Sequence, residues 1–281
     1  MQILVTGSSG KLGVAAVAAL RNAGHAVTGL DIKGKVEGCA LTIGCDCTDF
    51  GQVISAMSGG DMVPKPEAVL HLGGLPRPGL TPDEVTFRTN LLSTYNVFKA
   101  AAQVGIRRIV WSASETIYGV PFGPAPKFVP LDESHPELPQ SSYALTKKLA
   151  ETVADELVQW YPGLSIVSLR LSNVLNEDDY LTPDEMEKEL LFRRGNLWSY
   201  VDARDAAEAC RLALEADLPG HERLLIGAAD TLANHPTADL LKKHFPDVPE
   251  RRDLSTYQSL QSTARAAELI GYRARYSWRK P

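Results

Sequence analysis

The sequence predicts an α/β protein: a doubly wound parallel sheet with a small, mixed C-terminal lobe. Three observations predict it. Short apolar runs alternate with segments of helical period through the first two thirds of the chain. The first run feeds directly into a glycine-rich turn, and the last third abandons the alternation. Buried parallel strands read as continuous apolar runs rather than alternating ones, and repeated strand–helix units wind with right-handed crossovers. With 281 residues, 44% hydrophobic and 22% charged, the chain is long enough for one large domain and an appendage.

Residues 2–5 form the first predicted strand, and residues 11–23 have helical periodicity that stops at Gly24. A second strand over 26–30 ends at Asp31. Further strands are predicted at 41–43, 68–72, 108–112 and 165–169, with helices at 49–57, 83–103 and 142–160 between them. A loop with six prolines over 121–139 delivers the chain to Tyr143. Beyond it, residues 176–196 are polar and charged, 202–215 form a helix with a small-residue stripe, and 224–226 form a short strand. Helices are predicted at 237–244 and 254–269. The dinucleotide-binding unit is predicted to span 1–175, rejoined by 200–226, and the partly interleaved lobe 176–281.

Composition removes several classes of function. A formal charge of −5 offers no basic excess to neutralise phosphates, so nucleic acid is not the expected partner. Cys39, Cys45, Cys47 and Cys210 lack the spacing of a metal site and are expected as free thiols in a reducing compartment. The stretch 14–20 is too short to span a bilayer. The opening Ile3-Leu4-Val5 reads as a strand rather than a cleavable signal, and the expected location is cytoplasmic.

Gly7, Gly10 and Gly13 lie between the first strand and the first helix. In that context the first glycine permits a tight turn, the second lets backbone amides approach a pyrophosphate, and the third lets the helix pack closely on the sheet. Ser9, Lys11 and Leu12 complete the turn. Asp31, followed by Ile32, is placed to accept hydrogen bonds from the adenosine ribose, and its charge favours NAD over NADP; Lys33 and Lys35 pull the other way. Asp46 and Cys47 fall near the adenine edge. Leu72, Gly73 and Gly74 allow close backbone approach, while His71 is expected to be structural.

Tyr143 and Lys147 are four residues apart and share one helix face. A phenol is a poor base at neutral pH, and a neighbouring ammonium favours its ionised form. Lys147 could also hold the nicotinamide ribose. Ser114 would then hold a substrate oxygen while Tyr143 exchanges its proton. These residues describe a nicotinamide-dependent oxidoreductase.

The chain is similar to the extended short-chain dehydrogenase/reductases, which include NAD-dependent sugar epimerases and dehydratases and share a Rossmann dinucleotide fold. The resemblance rests on 6–13, on Ser112-Ala113-Ser114-Glu115-Thr116-Ile117-Tyr118-Gly119, on the Tyr143/Lys147 pair, on Asn90 and on Tyr200-Val201-Asp202. It implies Ser114, Tyr143, Lys147 and Asn90 as the catalytic set, Glu115 and Asn173 as substrate neighbours, and a homodimer through the helices at 83–103 and 142–160. Nucleotide-sugar members of the family carry a diphosphate-clamping arginine where this chain has Asn196. The Tyr-Gly-Pro expected after Asn173-Val174 is replaced by Leu175-Asn176-Glu177, and the segment 176–196 is short. The layout is closer to the small uronate and sugar dehydrogenases, with Asp178-Asp179-Tyr180 and Trp198 in comparable places. Arg193 or Arg194 would supply the cation that a sugar acid requires. The expected activity is hydride transfer between NAD and a sugar, sugar acid or similar polyol. Two alternatives stay open: a (nucleotide-)sugar 4-epimerase and a non-catalytic NAD(H)-sensing protein.

Overall fold

A computed structural model describes residues 1–32, 38–60, 63–254 and 256–279. Lys33 and Lys35 lie outside the described residues. Seven parallel strands make the main sheet: β1 (Gln2–Thr6), β2 (Ala26–Asp31), β3 (Leu41–Gly44), β4 (Ala68–His71), β5 (Arg108–Ser114), β6 (Ser165–Leu171) and β9 (Gly220–Ile226), in the order β3-β2-β1-β4-β5-β6-β9. The order reverses between β1 and β4, which pair from Ile3↔Ala68 to Thr6↔His71. A crevice for a ligand opens at such a reversal, beyond the carboxyl ends of the strands.

Helices cover both faces. α1 (Lys11–Asn22) and α6 (Ala203–Glu215) pack on one side, where Ile3, Val5, Leu70 and Val167 meet Ala16, Leu20, Ala209 and Ala213. α2 (Phe50–Ser58), α3 (Asp83–Gln103) and α4 (Ser142–Trp160) cover the other, against Leu4, Val69, Ile109 and Trp111. Alanine supplies much of the contact in α1 and α6, so these helices lie close to the sheet and to each other.

The lobe holds a two-stranded parallel sheet of β7 (Val174–Leu175) and β8 (Val201–Asp202), together with α5 (Pro183–Arg193) and α7 (Thr237–His244). The proline-rich loop belongs to it structurally. Leu131 exchanges backbone hydrogen bonds with the chain at Leu260 and Ser262, at 2.8 Å each. Val129, Leu131, Trp198, Leu240 and Leu260 form its core. The polar, charged segment 176–196 contains α5, started by a reciprocal cap between Thr182 and Glu185 with Pro183 in the first turn. The helix predicted over 254–269 is much shorter. Only α8 (Ala264–Ile270) forms, and the chain before it makes extended bridges at Gln258 and Gln261. Ala266, Ile270 and Tyr272 return to the main core.

Candidate active site

Three strands bring the predicted residues to one edge of the sheet. Thr6 ends β1, His71 ends β4 and Ser114 ends β5. Gly7 follows with φ +66°, and a Cβ built on it would lie 2.6 Å from the amide nitrogen of Gly73. A Cβ on Gly13 would lie 2.1 Å from the carbonyl oxygen of Gly7. Only glycine leaves this space open. Gly10 caps α1 without a side chain, so the first-turn amides remain available to an anion. The Thr6 hydroxyl accepts from Gly73 N at 3.1 Å, and His71 is fully enclosed between the Thr6 and Thr94 hydroxyls. Burial holds the His71 imidazole neutral, down to about 3. It is a structural histidine.

Asp31 accepts a hydrogen bond from Ser9 N at 3.0 Å, which docks the end of β2 on the glycine turn. Ile32 beside it is exposed. Asp46 is exposed and folds back on Thr48, accepting from its amide and its hydroxyl at 2.8 Å each. The Cys47 carbonyl is held by the Asn96 amide at 3.1 Å. Lys11 makes an ion pair with Asp179 at 2.6 Å, joining the start of α1 to the lobe. Leu12 packs on the main core, as does Leu72. A turn with two sterically required glycines, Gly7 and Gly13, first-turn amides at a helix N-terminus and a carboxylate at the end of the second strand together fit a dinucleotide.

The chemical half is built by β5 and α4. Ser141 caps α4 by accepting from Ala144 N at 3.1 Å, which places Tyr143 in the first turn and Lys147 one turn on. Ser114 ends β5 and caps the 3-10 turn Glu115–Tyr118, so its hydroxyl oxygen accepts from Thr116 N at 3.2 Å and from the Thr116 hydroxyl at 3.0 Å. The Tyr143 phenol faces the Ser114 hydroxyl. Lys147 donates to the Ser112 carbonyl at 2.6 Å and lies 5.6 Å from the centroid of the Tyr143 ring.

The electrostatics differ from expectation. Tyr143 is 7% exposed, and burial pushes its phenol up to about 12, with the Glu115 carboxyl adding to the rise. The Ser114 hydroxyl facing the phenol only partly offsets this. Lys147, itself desolvated down to about 8, faces the Ser112 carbonyl and does not by itself bring the phenolate into the neutral range.

Asn90, expected among the catalytic groups, has both ends of its amide on the backbone of Leu75: the nitrogen donates to the carbonyl at 3.0 Å and the oxygen accepts from the amide at 2.8 Å. It thereby sets the course of the loop after Gly74. Glu115 is 5% exposed and receives a hydrogen bond from the Gln261 amide; Ser172 and Asn196 face the same carboxyl. Asn173, directly after β6, is exposed and offers its carbonyl to Val201 N. Arg193 folds back on Glu189 at 2.6 Å, and Arg194 is exposed. Neither guanidinium is bonded to Ser114, Tyr143 or Glu115 among the described residues. Thr116, Ser172 and Gln261 were not legible in the sequence. Gln261 comes from a segment read as helix, and nothing local marks it as part of the site.

A model of the NAD dependent epimerase/dehydratase family matches residues 3–227. The chain belongs to this family, whose enzymes are of the extended short-chain dehydrogenase/reductase type, as the motifs implied. L-arabinose 1-dehydrogenase (NAD(P)(+)) of Haloferax volcanii is 28% identical over 226 residues, spanning 78% of this chain and 84% of that protein. UDP-glucose 4-epimerase of Corynebacterium glutamicum is 26% identical over 310 aligned positions, spanning 97% and 90%. Among solved structures, a short-chain dehydrogenase/reductase superfamily protein from Agrobacterium tumefaciens with bound NAD superposes with a TM-score of 0.76. It is 24% identical and covers 100% of this chain and 94% of that one. No helix among the described residues is long and apolar enough to cross a membrane.

Proposed function

We propose that the protein is an NAD-dependent dehydrogenase of a free sugar or related polyol, with Tyr143 as its proton-transfer group. The observation that carries this reading is the Tyr143 phenol facing a Ser114 hydroxyl fixed by Thr116, with Lys147 one turn on, set beside the glycine-lined crevice. Gly7, Ser9, Gly10, Leu12 and Gly13 would line the pyrophosphate, Asp31 the adenosine ribose, Asp46 and Cys47 the adenine edge. Asp31 would repel a 2′-phosphate, which favours NAD. NAD supplies the hydride acceptor and, when oxidised, a positive ring charge.

Ser114 and Tyr143 would both contact the substrate oxygen. Fixed by two donors from Thr116, the Ser114 hydroxyl keeps its remaining proton on the reacting side. Tyr143 accepts the alcohol proton in oxidation and returns it in reduction. Lys147 keeps an ammonium at neutral pH, since its desolvated value remains about 8, and so stabilises the phenolate when it forms.

Incubation with NAD and a panel of free sugars should accumulate NADH, read by absorbance. Interconversion of sugar epimers without NADH would replace the reading with the epimerase one, which the full-length likeness to UDP-glucose 4-epimerase supports. NAD binding without turnover of any sugar or ketone would point to a sensor. The protein is further proposed to be a homodimer through α3 and α4, whose outer faces expose Leu92, Tyr95, Leu145 and Trp160.

A further inference from the structure

Next to Ser114, four segments distant in sequence meet around one buried carboxyl. Glu115 comes from the turn after β5, Ser172 from the end of β6, Asn196 from the turn before β8 and Gln261 from the chain before α8. Gln261 holds the group together: its amide nitrogen donates to Glu115, and its amide oxygen accepts from the Ser172 hydroxyl at 2.7 Å. Asn196 donates to the Ser199 carbonyl at 3.0 Å, while its own side-chain oxygen is buried with no hydrogen-bond partner among the described residues. A buried acceptor without a donor is uncommon in folded proteins and calls for a partner.

The chemistry of this wall is one-sided. Every group bonded to Glu115 is neutral; of the two arginines before Asn196, Arg193 is held by Glu189 and Arg194 is exposed. Burial without a compensating cation pushes the Glu115 carboxyl up to about 7. A carboxylate has about four lone-pair sites, of which a single amide donor fills one. The wall presents acceptors, and no cation is paired with Glu115 among the described residues.

We propose that Glu115, Asn196 and Gln261 form a subsite for hydroxyl donors, which restricts the substrate to neutral polyhydroxyl sugars and turns away sugar acids and nucleotide diphosphate sugars. This rests on the dehydrogenase reading and names its substrate class. Sugar hydroxyls donate to the Asn196 oxygen and to the free lone pairs of Glu115. A substrate carboxylate or diphosphate at the same place would bring like charge against a buried carboxyl and leave the orphaned acceptor unfilled. Juxtaposed like charges in a desolvated site cost several kcal/mol, and a site built to bond a hydroxyl strongly rejects an analogue that cannot offer one.

The test compares kcat/KM with NAD for neutral pentoses and hexoses, the corresponding hexuronates, and UDP-hexoses. The intact protein should prefer a neutral sugar over its acid by about 100-fold or more. Glu115→Gln, which keeps the size and a hydrogen-bonding end, should narrow that preference by about 10-fold while NADH binding, followed by fluorescence, stays intact. Asn196→Asp should widen it. Turnover of an acid or a UDP-sugar equal to or above that of every neutral sugar would overturn the proposal and leave the dehydrogenase reading standing. An unchanged preference in a folded Glu115→Gln protein would also overturn it. Absence of NADH from all three classes would overturn the dehydrogenase reading itself, and the proposal with it.

Discussion

Tyr143 carries a proton that burial holds tightly, and the residues around it divide the work of releasing it. Ser114 faces the phenol, Thr116 fixes Ser114, and Lys147 supplies positive charge from one turn along the helix. Tyr143→Phe keeps the ring and its packing but removes the transferable proton. Turnover should fall by about 10³-fold with NADH affinity little changed, as measured by steady-state rates and cofactor fluorescence. Unaltered turnover would take Tyr143 out of the chemistry. Glu115 makes a separate prediction about stability. Its carboxyl is held near 7 in the folded chain against an ordinary 4.5, so between those values the folded state binds more protons than the unfolded one. Stability therefore declines as pH rises through this window, by up to about 3 kcal/mol in all. Glu115→Gln has no such proton to lose. Its unfolding free energy should gain on that of the parent chain between pH 4.5 and 8 in urea titrations, and parallel curves would show the carboxyl to be unperturbed.

The position of α4 relative to the sheet is fixed by a buried ionic network below Tyr143 and Lys147. Arg170 on β6, 1% exposed, donates to both oxygens of Glu151 on α4, at 2.9 and 2.6 Å, and to the Tyr118 hydroxyl at 2.6 Å. Arg223 on β9 reaches the same carboxylate at 3.1 Å. Removing one member of a buried pair leaves an uncompensated charge, whereas replacing both with apolar groups can be nearly neutral. Arg170→Met should cost about 3 kcal/mol in urea unfolding, and Arg170→Met with Glu151→Leu should recover much of it. Strictly additive losses would show that the two residues are not coupled. At the other end of the crevice, Gly13→Ala would drive α1 away from the Gly7 carbonyl and should weaken NADH binding by about 10-fold, or about 1.4 kcal/mol. These elements also show what can be read from sequence. The central strands were legible because each is a continuous apolar run, and the glycine turn and Tyr143/Lys147 because their spacing carries a local physical meaning. The chain before α8 was not, since its partners are Leu131 and Asp230, far away in sequence, and its apolar residues mimic helical period. The helix α5 was hidden because it buries only Met186 and Leu190. The duty of Asn90 was hidden for a similar reason: its partner, Leu75, belongs to a loop with no pattern of its own.

Across the whole molecule, the dinucleotide crevice and the lobe are tied together at both ends of the chain. Lys11 on α1 pairs with Asp179 in the lobe, and Tyr272 returns from the lobe to donate to the Gly227 carbonyl at 3.0 Å. The face opposite α1 and α6 is finished differently. α3 and α4 bury alanines and Phe98 against the sheet, yet leave Tyr95 and Trp160 37% and 57% exposed around a shallow groove shared with Thr152, Val153 and Glu156. Lys99 lies 5.7 Å from the Trp160 ring centroid, so the strip has a polar border. An interface of two-fold symmetry would place this same strip on both subunits, and any charge introduced there would be desolvated twice and could face its own copy. Tyr95→Glu combined with Trp160→Glu changes two side chains that contribute little to the chain's own core. The parent protein should sediment as a dimer at micromolar concentration, and the double variant as a monomer with an unchanged circular dichroism spectrum. A parent chain that sediments as a monomer would remove the interface, and a variant that remains dimeric would move it to another face.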